Sequence, residues 1–239
     1  MQRSVISVII PAYNEERTIG EVISGTIATM DNLGLPYEII VVDDGSTDNT
    51  RRIASTYKAT VLANPVNLGK GHSLRKGFQH AQGDIIVTID SDGSHSPKEI
   101  PDLLDPLFNG VDIVAGSRFL GSGRESTTRL NRLGNLMFNT TITAFSRQRI
   151  TDSQSGFRAF KRKVYENANL ESPGFEIEAE MTVKGLRNGF ILQEKPISCE
   201  RRKYNVSRVK VLADGMKILK AIFKASLENA ARRPQETEG

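Results

Sequence analysis

Five short, nearly unbroken apolar runs punctuate the first half of the chain, and they narrow the possible folds more than any other feature. They are Val5–Ile10, Glu38–Val42, Thr60–Ala63, Ile85–Ile89 and Ile113–Ala115. A strand with one wet face alternates apolar and polar residues, whereas an unbroken run is buried on both faces. The stretches between the runs carry helical spacing. Ile19, Val22, Ile23, Ile27 and Met30 recur at steps of three and four, and Leu74, Phe78 and Ala81 repeat the pattern more briefly. Strands that alternate with helices imply a parallel sheet covered on both faces. The expected fold is α/β, a doubly wound, mostly parallel sheet flanked by helices.

The second half is less regular. The pattern predicts a helix from Leu130 to Arg149 with Leu133, Met137 and Phe145 on one side, a strand over Ser155–Phe160, a helix over Ala179–Arg187 and a strand over Phe190–Ile197. A C-terminal amphipathic helix is expected over Val209 to Arg233. It places Leu212, Met216, Leu219, Phe223 and Leu227 on one face and Lys217, Lys220 and Lys224 on another. Such a helix either lies in a bilayer interface or packs on a core with its lysines in water. At 239 residues the chain suffices for one large domain. The reading is a single domain with two halves, 1–120 and 121–208, the helix at 209–233, and a polar tail at 234–239 expected to be disordered.

Composition removes several classes. The one cysteine, Cys199, forbids an internal disulfide, which fits a reducing compartment. It reads as a buried small hydrophobe. No run reaches the roughly 18 apolar residues of a membrane span. Residues 1–4 run straight into the first expected strand and do not read as a secretory leader. The expected location is cytoplasmic, either free or peripheral on the cytoplasmic membrane face. The net charge of +4 suits phosphate-bearing ligands or anionic lipid. With aromatics at 6% and no Trp, there is no aromatic–basic interleaving of the RNA-binding kind, so nucleic acid is not an expected partner.

In doubly wound sheets, ligands bind beyond the carboxyl ends of the strands. Three polar clusters fall there: Pro11-Ala12-Tyr13-Asn14-Glu15, Asp43-Asp44-Gly45-Ser46 and Asp90-Ser91-Asp92-Gly93-Ser94. Two carboxylates offset by two residues at a strand end can address one hard cation, Mg²⁺ or Mn²⁺, and through it a diphosphate. The competing reading is a helix cap, with Pro97 opening the next helix and Ser94 or Ser96 capping it. A tight turn at Gly45 with Ser46 or Thr47 as cap accounts for Ser46 and Asp48, but poorly for adjacent Asp43 and Asp44, whose charges repel. Nucleoside hydroxyls and base N–H groups would give those acids partners. Asn67-Leu68-Gly69-Lys70-Gly71 lacks the spacing of a P-loop, which argues against an ATPase. Its glycines and lysine still suit a nucleotide edge. His72, His80 and His95 are scattered and read as structural or solvent-facing.

Together these motifs, in this order and spacing across residues 5 to about 120, resemble glycosyltransferase family 2 with its GT-A fold. Gly116-Ser117-Arg118, Asp152-Ser153-Gln154-Ser155-Gly156-Phe157-Arg158 and Phe175-Glu176-Ile177-Glu178 resemble the branch of dolichyl-phosphate mannose and glucose synthases. The resemblance implies roles. Pro11, Tyr13 and Glu15 flank a nucleoside, Asp43 faces its base or ribose, and Lys70 lies where the family approaches the base. Asp90 and Asp92 hold the metal and the diphosphate. Ser94 stands where the mannose synthase branch has a further metal-binding Gln. Arg118 and Arg132 meet an acceptor phosphate, and Arg202 and Arg208 fall in the stretch that clamps the donor diphosphate. Residues 1–120 become the nucleotide-sugar half and 121–208 the acceptor half.

The implied activity is that of a metal-dependent hexosyltransferase. It moves a sugar, with inversion, from a nucleoside-diphosphate donor to a polyprenyl or dolichyl monophosphate. GDP-mannose, UDP-glucose and UDP-N-acetylglucosamine all remain open as donors. The alternative is a saccharide or glycolipid hydroxyl as acceptor. That reaction needs a general base, which Glu176, Glu178 or Asp152 would have to provide. Otherwise Glu176 and Glu178 are surface charges at a helix start, and Asp152 caps a turn or orients a sugar hydroxyl.

Overall fold

The computed structural model describes residues 4–120, 129–200 and 211–228. The expected runs form β1 (Ile6–Ala12), β2 (Tyr37–Asp43), β3 (Thr60–Ala63), β4 (Ile85–Thr88) and β5 (Ile113–Ser117), alternating with α1 (Ile19–Leu33), α2 (Thr50–Ala54), α3 (Lys70–His80) and α4 (Ile100–Phe108). Then follow α5 (Arg129–Ser146), β6 (Arg158–Lys161), α6 (Arg162–Ala168), α7 (Ile177–Arg187), β7 (Leu192–Pro196) and α8 (Val211–Leu227). Seven strands make one sheet in the order β3-β2-β1-β4-β6-β5-β7. All neighbours pair in parallel except β6, which runs antiparallel to both β4 and β5.

The unbroken apolar runs are explained by two cores, one on each sheet face. In β1, Ile9 joins Leu74 and Phe78 of α3, Ile142 of α5, Ile177 of α7 and Ile222 of α8. Its neighbours Val8 and Ile10 face the other way, toward α1 and toward Leu103 and Leu107 of α4. Alternate side chains of one strand thus fill opposite cores. Helix α3 approaches so closely that a Cβ at Gly77 would sit 2.6 Å from Ile9. Gly34 ends α1 in the left-handed conformation (φ 63°), which suits a residue without Cβ.

One boundary changes. The strand expected to start at Ser155 starts at Arg158, because residues 152–156 form a loop held by side chains. On α5 the side that carries Leu133, Met137 and Phe145 is the wet one: Leu133 is 64% and Phe145 48% exposed, while Phe138 and Ile142 are buried. On α8, Ile218, Ile222 and Ala225 are buried; of the expected apolar face, Leu219 packs against the core while Met216, Phe223 and Leu227 are exposed. No helix among the described residues is long and apolar enough to cross a membrane.

Candidate functional site

Parallel β1, β2 and β4 end side by side, and the loops leaving them enclose a cavity of about 680 Å³. The end of β1 lines it with Pro11, and the loop that follows with Tyr13 and Glu15. That loop is zipped to the one after β2. The Asn14 amide donates to Ser46 Oγ (2.9 Å), the Thr47 amide to Asn14 Oδ1 (2.8 Å), and the Glu15 amide to Thr50 Oγ1 (2.7 Å). Asn14 takes a left-handed φ of 53° to do so. Ser46 therefore ties two loops together and does not cap α2. Asp48 accepts the Thr50 amide at 2.9 Å instead.

The adjacent acids of β2 separate their tasks. Asp43 is buried, accepts the Ser46 amide (3.3 Å) and does not border the cavity, so the turn reading accounts for it. Asp44 does border the cavity. Its carboxylate accepts Asn64 Nδ2 (2.8 Å) and the amides of Leu68 (3.0 Å) and Gly69 (2.8 Å). Backbone donors thus hold the two carboxylates apart in role. Asp44, which the sequence reading left equivalent to Asp43, shapes the glycine loop. Those glycines admit backbone, not ligand. A Cβ at Gly69 (φ 99°) would lie 2.5 Å from the Pro173 carbonyl, and one at Gly71 would meet the Ser172 carbonyl.

Asp90 and Asp92 both line the cavity, beyond β4. The Lys70 ammonium sits 2.6 Å from Asp90 and 2.6 Å from Glu178 of α7. Burial alone would lower the Lys70 pKa, but the two carboxylates raise it above the ordinary lysine value. Lys70 therefore bridges Asp90, the first acid of the pair, to α7. A Cβ at Gly156 would come 2.5 Å from Lys70 Nζ, so this glycine leaves room for the pair. The Ser94 amide donates to Asp92 Oδ1 (2.9 Å), and Ser94 does not line the cavity. This turn occupies one oxygen of Asp92; Ser96 precedes the short helical turn at Pro97–Glu99 but makes no side-chain cap bond. No group of three or more His, Cys, Asp or Glu suited to a metal occurs among the described residues. Two carboxylates opening on one cavity still fit a Mg²⁺ or Mn²⁺ ion whose shell is completed by diphosphate oxygens and water.

Arg118 follows β5 and forks onto Asp152: Nε to Oδ2 at 2.7 Å, Nη2 to Oδ1 at 2.8 Å. Asp152 is fully buried, and its own amide donates to Glu194 of β7 (2.7 Å). Burial would lower the Arg118 pKa; the Asp152 carboxylate raises it on balance. Arg158, also buried, donates to the carbonyls of Ser155 (2.7 Å) and Ser153 (2.6 Å) and so staples the loop that carries Asp152. Asn139 of α5 grips the same loop, donating to the Thr151 carbonyl and accepting the Ser153 amide at 3.0 Å. Arg132 lies half-buried on α5, two helical turns before Asn139.

Glu176 and Glu178 are buried, not surface charges. Glu176 accepts the Gly174 amide (3.1 Å). His95 is buried and stacks on Phe157 with ring centroids 5.5 Å apart, a packing role. Cys199 is only half-buried. Arg202 and Arg208 lie outside the described residues. Two cavity residues had no recognisable signal in the sequence. Asp214 and Lys217 of α8 join the lining beside Gly174 and Phe175, although the lysine was read as facing water or lipid.

The model of the family described as Glycosyl transferase family 2 matches residues 7–168. The polyprenol monophosphomannose synthase of Mycolicibacterium smegmatis is 31% identical over 235 residues, spanning 92% of this chain and 84% of that protein. The dolichol-phosphate mannosyltransferase of Pyrococcus furiosus is 36% identical over 190 residues, 75% of this chain and 53% of its own length. The chain therefore spans about half of that relative. Among solved structures, glucosyl-3-phosphoglycerate synthase from Mycobacterium tuberculosis, in complex with Mn²⁺, UDP and phosphoglyceric acid, superposes with a TM-score of 0.75 at 26% identity. That match covers 98% of this chain and 80% of the other. The sheet order, the cavity at its carboxyl edge and these likenesses agree on a GT-A fold and on the mannose synthase-like branch. The chain belongs to glycosyltransferase family 2.

Proposed function

We propose that the chain transfers a sugar, with inversion, from a nucleoside-diphosphate sugar to a polyprenyl or dolichyl monophosphate. One observation carries the choice of acceptor. Each carboxylate considered as a general base already has an internal partner: Asp152 the Arg118 fork, Glu178 the Lys70 ammonium, Glu176 the Gly174 amide. A sugar hydroxyl would need one of them released. A phosphate monoester is largely ionised near neutrality, its second pKa being about 6, and needs no base. It needs fixed positive charge. Arg118 supplies it: Asp152 occupies Nε and one terminal nitrogen, and the rest of the fork is left for phosphate oxygens. Arg132 is the proposed second grip.

On the donor side, Tyr13, Pro11 and Glu15 are proposed to flank the nucleoside, and Asp90 and Asp92 to hold a divalent ion. Bound there, Mg²⁺ or Mn²⁺ supplies positive charge to the leaving diphosphate. Lys70 adds a second positive charge beside it, and Arg202 and Arg208 are proposed to close on the diphosphate. The acceptor oxygen then forms a bond to the anomeric carbon from the face opposite the breaking bond to the diphosphate, which inverts the centre. The relatives named above act, by their names, on polyprenol and dolichol phosphates. Such acceptors reside in a bilayer, so peripheral contact with its surface belongs to the proposal. The exposed Met216 and Leu227 of α8 are its candidates.

The test offers radiolabelled donors with Mn²⁺ to undecaprenyl phosphate, dolichyl phosphate and free saccharides. Label should enter the lipid phosphates. Transfer to saccharides alone would move the function to the hydroxyl-acceptor alternative.

A further inference from the structure

The wet face of α5 is a groove. Leu133, Leu136, Met137, Ala144 and Phe145 line it with Phe223 of α8, around a volume of about 570 Å³. Its floor is closed where Phe145 meets Phe223 edge-to-face, ring centroids 5.8 Å apart. Leu136 is 62% exposed and Met137 45%. Apolar side chains contiguous on a surface mark a binding site more often than a random excess. Two threonines share the lining, yet neither offers a polar group to it. Thr140 Oγ1 donates to the Leu136 carbonyl (2.7 Å) and Thr141 Oγ1 to the Met137 carbonyl (2.9 Å). They present methyl groups. Among the described residues, no charged side chain lines the groove.

We propose that this groove holds the first isoprene units of the acceptor's polyprenyl chain. The inference rests on the acceptor reading above and extends it from the phosphate to the lipid. Continuity along one helix argues for it. Arg132, Asn135 and Asn139 recur at steps of three and four on the face of α5 that grips the Asp152 loop. Leu136 follows Arg132 by one turn, and the apolar lining continues to Phe145. A phosphate held at Arg132 therefore has hydrocarbon-binding surface starting beside it. From Leu133 to Phe145 the rise is about 18 Å at 1.5 Å per residue.

The lining's chemistry separates this occupant from two others. A bilayer surface would present headgroups and call for free cations. Of the α8 lysines, Lys217 pairs with Asp214 (3.2 Å) and Lys224 with Glu171, and Lys220 does not line the groove. A second copy of the chain would bring the lysines of two α8 helices together across a two-fold axis.

The experiment compares undecaprenyl phosphate with citronellyl phosphate, which has two isoprene units, in non-ionic detergent micelles. The protein is the parent chain or Leu133→Gln/Leu136→Gln. Both positions are exposed, so the variant keeps its fold, which a thermal shift with UDP and Mn²⁺ verifies. The parent should prefer the long acceptor. In the variant the ratio of kcat/KM, long over short, should fall about tenfold, equivalent to about 1.4 kcal/mol. Leu136→Met should restore most of it in the Leu133→Gln background. An unchanged ratio overturns the groove assignment. So does an effect seen only in vesicles, which points to the bilayer, or a parent dimer that the variant dissociates, which points to a second copy. If the parent uses neither phosphate, the acceptor reading itself falls, and the groove with it. Equal use of both acceptors removes the groove alone.

Discussion

Arg118 and Asp152 form a two-pronged ion pair, 2.7 and 2.8 Å, in which the acid is fully buried and the base is not. The acid is therefore a mount and the guanidinium the working part. Replacing Asp152 with Asn keeps the shape and removes the charge. Breaking a buried pair by neutralising one partner costs about 3 kcal/mol or more. Urea denaturation should show that loss. Acceptor KM should rise at least as steeply as stability falls, while UDP binding with Mn²⁺ stays near the parent value. A parallel loss of UDP binding would show that Asp152 supports the whole site and not Arg118 in particular.

Asp92→Ala should abolish metal-dependent turnover. It should also abolish the extra thermal stabilisation that Mn²⁺ gives in the presence of UDP, because a ligand that binds only the native state raises its melting temperature. Near-normal activity in this variant would reject the assignment of the metal to the acidic pair.

Lys70→Met leaves Asp90 and Glu178 facing each other without their shared cation. The metal-free variant should melt below the parent. Mn²⁺ should raise its melting temperature by more than it raises the parent's, since the ion now relieves a repulsion that the ammonium relieved before. An equal rise in both proteins would mean that Lys70 and the metal address different charges.

Asp112, at the start of β5, accepts the Ile191 amide (3.1 Å) and pairs with Lys163 (3.0 Å) and Lys161 (3.4 Å). Burial pushes its pKa up, but the amide and the two lysines outweigh it and hold the carboxyl below its ordinary value. The stabilisation is complete above the unfolded-state pKa of about 4 and is lost as pH falls through the lower folded-state value. Asp112→Asn should cost about 1 kcal/mol at neutral pH, and the gap to the parent should close in acid. A gap that persists at low pH would assign the loss to geometry, not charge.

Gly156→Ala should lower donor binding with little change in acceptor binding, because the new methyl would meet the Lys70–Asp90 pair at 2.5 to 2.8 Å. Isothermal titration with UDP and Mn²⁺ reads it directly.

The parallel core of the sheet was legible because β1, β2 and β4 are buried on both faces, and that demand is written locally as unbroken Val and Ile. The cavity followed, since polar clusters at strand ends have few other reasons to exist. What was not legible depends on contacts far apart in the chain. Lys70 meets Glu178 across 108 residues, and no local pattern announces it. Asp43 and Asp44 look equivalent until the amides of Leu68 and Gly69 choose between them. On α5 both faces carry apolar residues, so periodicity alone does not say which of them meets the core. Lys217 was placed with the surface lysines because its position over the cavity depends on how α8 crosses the sheet.

The antiparallel β6 has a consequence for biogenesis. It is the partner that joins β4 to β5, so a nascent chain that has emerged only as far as β5 cannot complete the sheet. Until residues 158–161 leave the ribosome, β4 presents a bare edge of the kind that invites mispairing. The donor-binding half thus cannot be cut away as a stable module, and truncations ending near residue 120 should accumulate as insoluble protein.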